Sequence, residues 1–242
     1  MNATVAQLTA RSLFGRRRIL LLLALPAVPL LLSLIVRMAT GPDEQIARTL
    51  MQTLTLGTVL PLFALIAGSG AIGPEIDDGS IVYLLAKPIR RSEIMWSKLA
   101  VASASVVVLA AVPTFVTGLI LAGTADRLAL GYAVGVAVGG VTYCALFLML
   151  SVLTRNAVVV GLVYALLWES MVGGFVSGAQ ALSVQQWALA VTEWIVGARA
   201  QALGVEAGVP LGAAVPLLLV VAIGSTWFAG QRLRSIRVTN EE

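Results

Sequence analysis

GPEIDDGSIVYLLAKPIRRSEIMWSK, which runs from Gly73 to Lys98, is the stretch that decides the fold, because it is polar and separates two long apolar runs. Gly73 and Pro74 end the preceding helix, since proline cannot continue it and glycine tolerates the turn. Pro74 then starts a new helix whose first turn is acidic, and acidic residues are favourable at the positive end of a helix dipole. The densest group of charges in the sequence follows from here: Glu75, Asp77, Asp78, Lys87, Arg90, Arg91, Glu93 and Lys98.

The pattern of this stretch predicts a short helix over residues 75–86 that lies along a membrane surface. Pro88 ends that helix, and a basic corner then leads into a new membrane span. An ordinary loop whose basic residues only fix the orientation of the spans is the alternative, and residue spacing alone does not separate the two.

The order of residue types in this stretch resembles the signature of ABC transporter permeases of the second exporter type. An acidic residue, a glycine, a leucine pair, a proline, a basic residue and a lysine follow one another after the second span. The corresponding residues are Glu75, Gly79, Leu84, Leu85, Pro88, Arg91 and Lys98. The resemblance implies a coupling helix that docks on a separate ATPase subunit, with Asp77 and Asp78 available to pair with basic groups of that partner.

The composition is that of a membrane protein, with 59% hydrophobic residues and a mean hydropathy of +0.95. A helix needs about 20 apolar residues to cross a bilayer. On that basis we expect an all-α integral membrane protein with one permease domain over residues 1–242. Its six predicted transmembrane helices cover residues 19–38, 50–72, 99–121, 128–153, 157–176 and 209–229.

Two further segments are expected to lie at the membrane surfaces. Residues 1–18 end in three arginines and suit an N-terminal interfacial helix, although a disordered basic tail is the alternative. Between spans five and six, an amphipathic helix is predicted around residues 184–199, and the resemblance implies an outer re-entrant segment there. Its apolar face would hold Val184, Trp187, Val191, Trp194, Ile195 and Ala198. Its polar side would hold Gln185, Gln186, Thr192, Glu193 and Arg199.

The distribution of lysine and arginine predicts the orientation. Of the 16 basic residues, all but Arg37, Arg48, Arg127 and Arg199 fall at the two termini, in the 73–98 stretch or beside the turn at Arg155. Cytoplasmic loops carry such an excess. We therefore expect both termini to be cytoplasmic in a multi-pass protein of a bacterial-type plasma membrane.

The residue inventory argues against an enzyme. The chain has no histidine and a single cysteine, Cys144, and it contains no GxxxxGK[ST] phosphate-binding loop. We expect no cofactor or metal in this chain, and the resemblance implies ATP and magnesium in a partner ATPase subunit. The basic residues flank apolar runs, which indicates membrane lipid as a partner and not nucleic acid.

Two features of the spans are candidates for function or assembly. Glu169 is the one ionisable residue deep within a predicted span, so it is a candidate for the substrate path. A carboxylate that merely reaches the outer headgroups is the other interpretation. Gly131, Gly135 and Gly139 recur every four residues and would line one helix face, which favours close helix packing within the chain or between subunits.

The resemblance implies a dimer, formed with a second copy or with a sister permease. It also implies outward transport of a drug, antibiotic, peptide or lipid-like substrate. A secondary transporter or channel, and a membrane assembly protein that transports nothing, are the alternatives. Inverted repeats and several intramembrane polar groups would favour the former.

Overall fold

The computed structural model describes residues 3–79, 91–123, 127–154, 156–172 and 180–235. Within these ranges the regular structure is helical. The helices are α1 (Ala3–Leu13), α2 (Arg16–Thr40), α3 (residues 44–70), α4 (Gly73–Asp77), α5 (Arg91–Ala122), α6 (Leu128–Leu153), α7 (residues 157–172), α8 (Val184–Val196) and α9 (Leu211–Ser235).

Five of the helical segments are long and apolar enough to cross a membrane. They are Arg18–Thr40, Glu44–Ile76, Arg91–Ala122, Leu128–Leu153 and Leu211–Leu233. Several helices of this kind confirm the prediction of an all-α, multi-pass membrane protein. The predicted fifth span corresponds to α7, whose apolar segment Ala157–Trp168 is shorter, and residues 173–179 lie outside the described ranges.

Helix α6 lies at the centre of the bundle. It contacts α3, α5, α8 and α9, and its aromatic residues Tyr132, Tyr143 and Phe147 are fully buried. The outward faces of α2, α7 and α9 instead carry many exposed leucine, isoleucine and valine side chains. Apolar side chains on the outside suit contact with lipid, so the bundle is arranged around α6 with α2, α7 and α9 presenting its apolar surface.

In the described part of the chain, three helices contain π-helical segments, at Leu50–Val59 in α3, Val107–Ala111 in α5 and Tyr164–Val172 in α7. A π-helix closes its hydrogen bonds one residue later than an α-helix, is rare, and is frequently found at functional sites. The apolar sequence of each segment gives no local sign of this, because the spacing of apolar residues changes little over so short a stretch.

Two predictions about local structure are wrong. The helix expected over residues 75–86 is not continuous, because α4 ends at Asp77 and Gly79 has a φ of +68°, which belongs to the left-handed region that glycine favours. On α8, Thr192 is predicted on the polar side but is fully buried, because α8 packs along α6. Trp194, predicted on the apolar face, is 68% exposed, as are other apolar side chains on the outside of the bundle.

The bundle has two distinct ends. At one end, the start of α2 contacts the end of α3, and the start of α5 contacts the end of α9 through Arg91, which donates to the Leu233 carbonyl. At the other end, the Arg37 guanidinium donates to the Ile120 carbonyl at 3.0 Å, and Arg199 lies 3.5 Å from Glu44. Residues 73–79 and 91–98 therefore share their end of the bundle with the start of α2 and the end of α9.

Candidate coupling site

The junction between α3 and α4 starts the candidate site. Helix α3 ends at Gly70, and α4 begins at Gly73 with Pro74 in its first turn, where the missing proline N–H costs nothing. The Asp78 N–H donates to the Pro74 carbonyl at 2.9 Å and closes the turn. The predicted break between the second span and a new short helix thus lies at Gly73 and Pro74.

Lys98 is the most buried charged residue at this junction, and its side chain has no solvent exposure. Its ammonium group donates to Glu75 Oε1 at 2.7 Å, to the Ala71 carbonyl at 2.6 Å and, more weakly, towards Thr9 Oγ1 at 3.5 Å. An ammonium group has three N–H donors, so these acceptors match its full capacity. Lys98 is removed from solvent, so its ion pair with Glu75 is held within the protein, whereas the Glu75 side chain remains 22% exposed to solvent.

The three acceptors of Lys98 belong to different helices. Thr9 lies on α1, Ala71 follows the end of α3, and Glu75 lies on α4, while Lys98 itself lies on α5. The buried Lys98 side chain of α5 therefore connects α1, the end of α3 and α4.

Helix α1 is packed against the bundle in addition to this bond. Leu13 is fully buried, and a methyl group placed on Gly70 would lie 3.0 Å from the Leu13 side chain and 3.3 Å from the Arg18 guanidinium. Arg18 donates to the Gly70 carbonyl at 3.2 Å. The N-terminal segment is thus an ordered helix docked on α3 and α5.

The remaining residues of the predicted docking surface are described only in part. Asp78 and Gly79 are exposed at the end of α4, next to the Lys98 network. The Asp77 side chain lies outside the described set, and so do Leu84, Leu85 and Pro88. Asp78, Gly79 and Glu75 are therefore brought together, and Arg91 lies about two helix turns before Lys98 on α5.

The glycine face of α6 lies against α8. A methyl group on Gly131 would lie 3.1 Å from the Thr192 carbonyl, and one on Gly135 would lie 2.3 Å from Thr192 Oγ1 and 3.0 Å from the Ala188 carbonyl. On Gly139 it would lie 2.8 Å from the Ala188 side chain. Backbones this close leave no room for side chains on α6.

Thr192 joins the two helices by a hydrogen bond. Its hydroxyl is shared between the Gly131 carbonyl of α6 and the Ala188 carbonyl of its own helix, both at 3.1 Å. Because the hydroxyl has these acceptors, its burial leaves no unsatisfied donor. The residue was missed as a site of helix packing because its polarity suggested exposure, and the four-residue glycine spacing was the available signal.

Glu169, the candidate for the substrate path, lies in the π-helical part of α7, and its side chain lies outside the described set. The structure therefore gives its position along the helix without its contacts. Its role stays a prediction.

The long apolar helices and their packing define a class of protein: a multi-pass, α-helical membrane protein. The sequence model of the ABC-2 family transporter proteins matches residues 34–220, and the chain belongs to that family. This confirms the resemblance drawn from the 73–98 stretch, and it makes the chain a membrane permease component of an ABC transporter. No significant match to a curated protein was found.

Proposed function

We propose that this chain is the permease subunit of an ATP-driven exporter that docks a separate ATPase through the 73–98 stretch. The observation that carries the proposal is the buried Lys98–Glu75 ion pair, since Lys98 links α1, the end of α3, α4 and α5 next to the exposed Asp78 and Gly79. A partner that pushes on α4 would move the ends of two long helices together.

The proposal includes six spans with both termini in the cytoplasm. The excess of basic residues at the termini and in the 73–98 stretch supports this orientation. Helix α7 would be the fifth span. Helix α8 would belong to a re-entrant segment in the outer half, because it contacts α6 from Gly131 to Gly139, over about 12 Å of helix at 1.5 Å per residue.

The energy source would be ATP with magnesium in the partner subunit, since this sequence has no phosphate-binding loop. A second permease copy or a sister permease would complete the path across the membrane. Exposed apolar faces on α2 and α7 offer surfaces for lipid or for that second subunit.

Charge reversal at the end of α4 tests the docking step. We expect Asp77→Lys with Asp78→Lys to leave the protein in the membrane but to prevent co-purification of the ATPase and to stop transport. Loss of one side of a desolvated charge pair typically costs about 2–5 kcal/mol. Glu206→Lys, a reversal at an exposed residue near the other end of the bundle, is the matched control and should change neither result.

A second variant tests the shape of the docking surface without changing its charge. Gly79→Leu would force a branched residue into a positive φ and hold the partner surface away, so docking should weaken although no charge changes. Normal docking and normal transport in both variants would show that the 73–98 stretch is only a connecting loop.

A further inference from the structure

A cavity of about 330 Å³ opens beside the coupling site, between the start of α2, the end of α3, α4 and the turn from α6 to α7. We propose that it binds an anionic amphiphile, a molecule with a phosphate or carboxylate headgroup and an alkyl chain, taken from the adjoining leaflet. As a substrate site this rests on the proposed function. The volume is at the lower end of that of small-molecule sites.

Arg18 provides the charge for the headgroup. One of its N–H groups donates to the Gly70 carbonyl at 3.2 Å, and a guanidinium has five such donors in a planar fork that matches carboxylate and phosphate oxygens. Among the described residues, no carboxylate forms an ion pair with Arg18. The cavity wall therefore carries a cation held in place by the backbone and still able to bind an anion.

Polar groups line the same cavity as Arg18. Ser69 and Ser151 are buried, and their hydroxyls donate to carbonyls of their own helices, at Leu65 and Phe147. Each hydroxyl oxygen keeps acceptor capacity, so it suits the hydroxyl or protonated oxygen of a headgroup.

Part of the cavity lining is apolar and exposed at the outer surface of the bundle. Leu21 of α2 and Val158 of α7 line the cavity and are 54% and 56% exposed. A small soluble anion gains no stability from this apolar lining, whereas an alkyl chain that enters the cavity from the lipid is stabilised by burying apolar surface against it. The pairing of a fixed cation with an apolar side opening is the reason for assigning an amphiphile.

Binding can be measured on the full chain without any ATPase. The purified protein in phosphatidylcholine nanodiscs is titrated with lysophosphatidylglycerol that carries a fluorophore at the chain end, and anisotropy is followed. We expect saturable binding that Arg18→Ala weakens about tenfold, the size of a lost hydrogen bond to a charged group. Arg11→Ala removes a charge from an exposed residue outside the cavity and should leave binding unchanged.

A second pair of variants covers the case in which Arg18→Ala fails to fold. Val158→Trp fills the cavity and should abolish saturable binding, whereas Val160→Trp adds the same side chain to an exposed residue of α7 that does not line the cavity. Equal binding of labelled lysophosphatidylcholine would reduce the site to chain partitioning and overturn the proposal. Displacement of the probe by inorganic phosphate alone would show a small-anion site and would also overturn it.

These outcomes are distinct from failure of the proposed function. If the ATPase docks and transport proceeds while the lysolipid does not bind, only the cavity assignment is wrong. If the lysolipid binds with the expected dependence on Arg18 while no ATPase docks, the cavity assignment stands and the transport proposal is wrong.

Discussion

Replacing Lys98 by methionine should destabilise the protein and uncouple it from the proposed ATPase partner. Methionine keeps most of the length and apolar volume of the lysine stem but removes the ammonium group. Three acceptors then lose their donor: Glu75 Oε1, the Ala71 carbonyl and Thr9 Oγ1. The links from α5 to α1 and to the end of α3 through this side chain are lost together.

The expected loss of unfolding free energy depends on the charged and polar groups that remain after the Lys98 ammonium group is removed. Removing one partner of a buried ion pair costs about 3–5 kcal/mol, because the other charge is left without compensation. Glu75 retains 22% exposure and can be partly hydrated, so we expect the lower end, about 3 kcal/mol of unfolding free energy. Replacing both charges by apolar residues of similar volume is often nearly neutral, so Lys98→Met with Glu75→Leu should recover most of the loss.

The assay is a double-mutant cycle on the full chain in detergent, with unfolding and co-purification of the ATPase measured on the same preparations. The double variant should be as stable as the wild type within about 1 kcal/mol, as expected for an isosteric apolar replacement of a buried pair. A Lys98→Met protein of wild-type stability, or single-variant losses that simply add in the double variant, would refute the proposed role of this ion pair.

Three other predictions concern the spans. Gly135→Ala should destabilise the protein by about 1–3 kcal/mol, because the added methyl group would lie 2.3 Å from the Thr192 hydroxyl. Gly224→Ala, whose added methyl group would meet nothing within 4 Å, should be neutral or stabilising in the same unfolding assay. Glu169→Gln should lower transport without changing expression if the carboxylate lines the path, and unchanged transport of several substrates would assign it to the headgroup region. Arg90→Cys should resist labelling by an impermeant thiol reagent in intact cells, whereas Glu206→Cys should react. Labelling of the Arg90→Cys variant from outside would contradict the predicted orientation of the spans.

The main helices were predictable from sequence because their signal is long and redundant. The predicted span at residues 128–153 coincides with α6, and the break at Gly73 and Pro74 lies where α3 gives way to α4. In both cases composition and turn chemistry act locally, so no knowledge of distant contacts is needed. The helix over residues 75–86 failed for a local reason as well, since Gly79 was interpreted as a motif position when its positive φ ends the turn.

The contacts of the candidate site were not predictable, because they join residues far apart in the chain. Lys98 was identified as part of a motif, but its bond to Glu75 and its approach to Thr9 depend on how α1 and α4 pack against α5. Thr192 is the converse case. Periodicity assigned it to the polar side, and a hydrogen bond to the Gly131 carbonyl makes its burial favourable.

The position of α6 explains how a movement at one end of the bundle would reach the other. A methyl group on Gly68, two residues before the end of α3, would lie 2.8 Å from the Cys144 carbonyl, so α3 and α6 meet backbone to backbone. On the next part of α6, Gly131 and Gly135 face the Thr192 and Ala188 carbonyls of α8 in the same way. Contacts without intervening side chains have little room to adjust, because close-packed interiors transmit displacement. A tilt of α3 imposed at the Lys98 network should therefore move α6 and, through it, the buried face of α8, which is the route that coupling between an ATPase and the outer half would require.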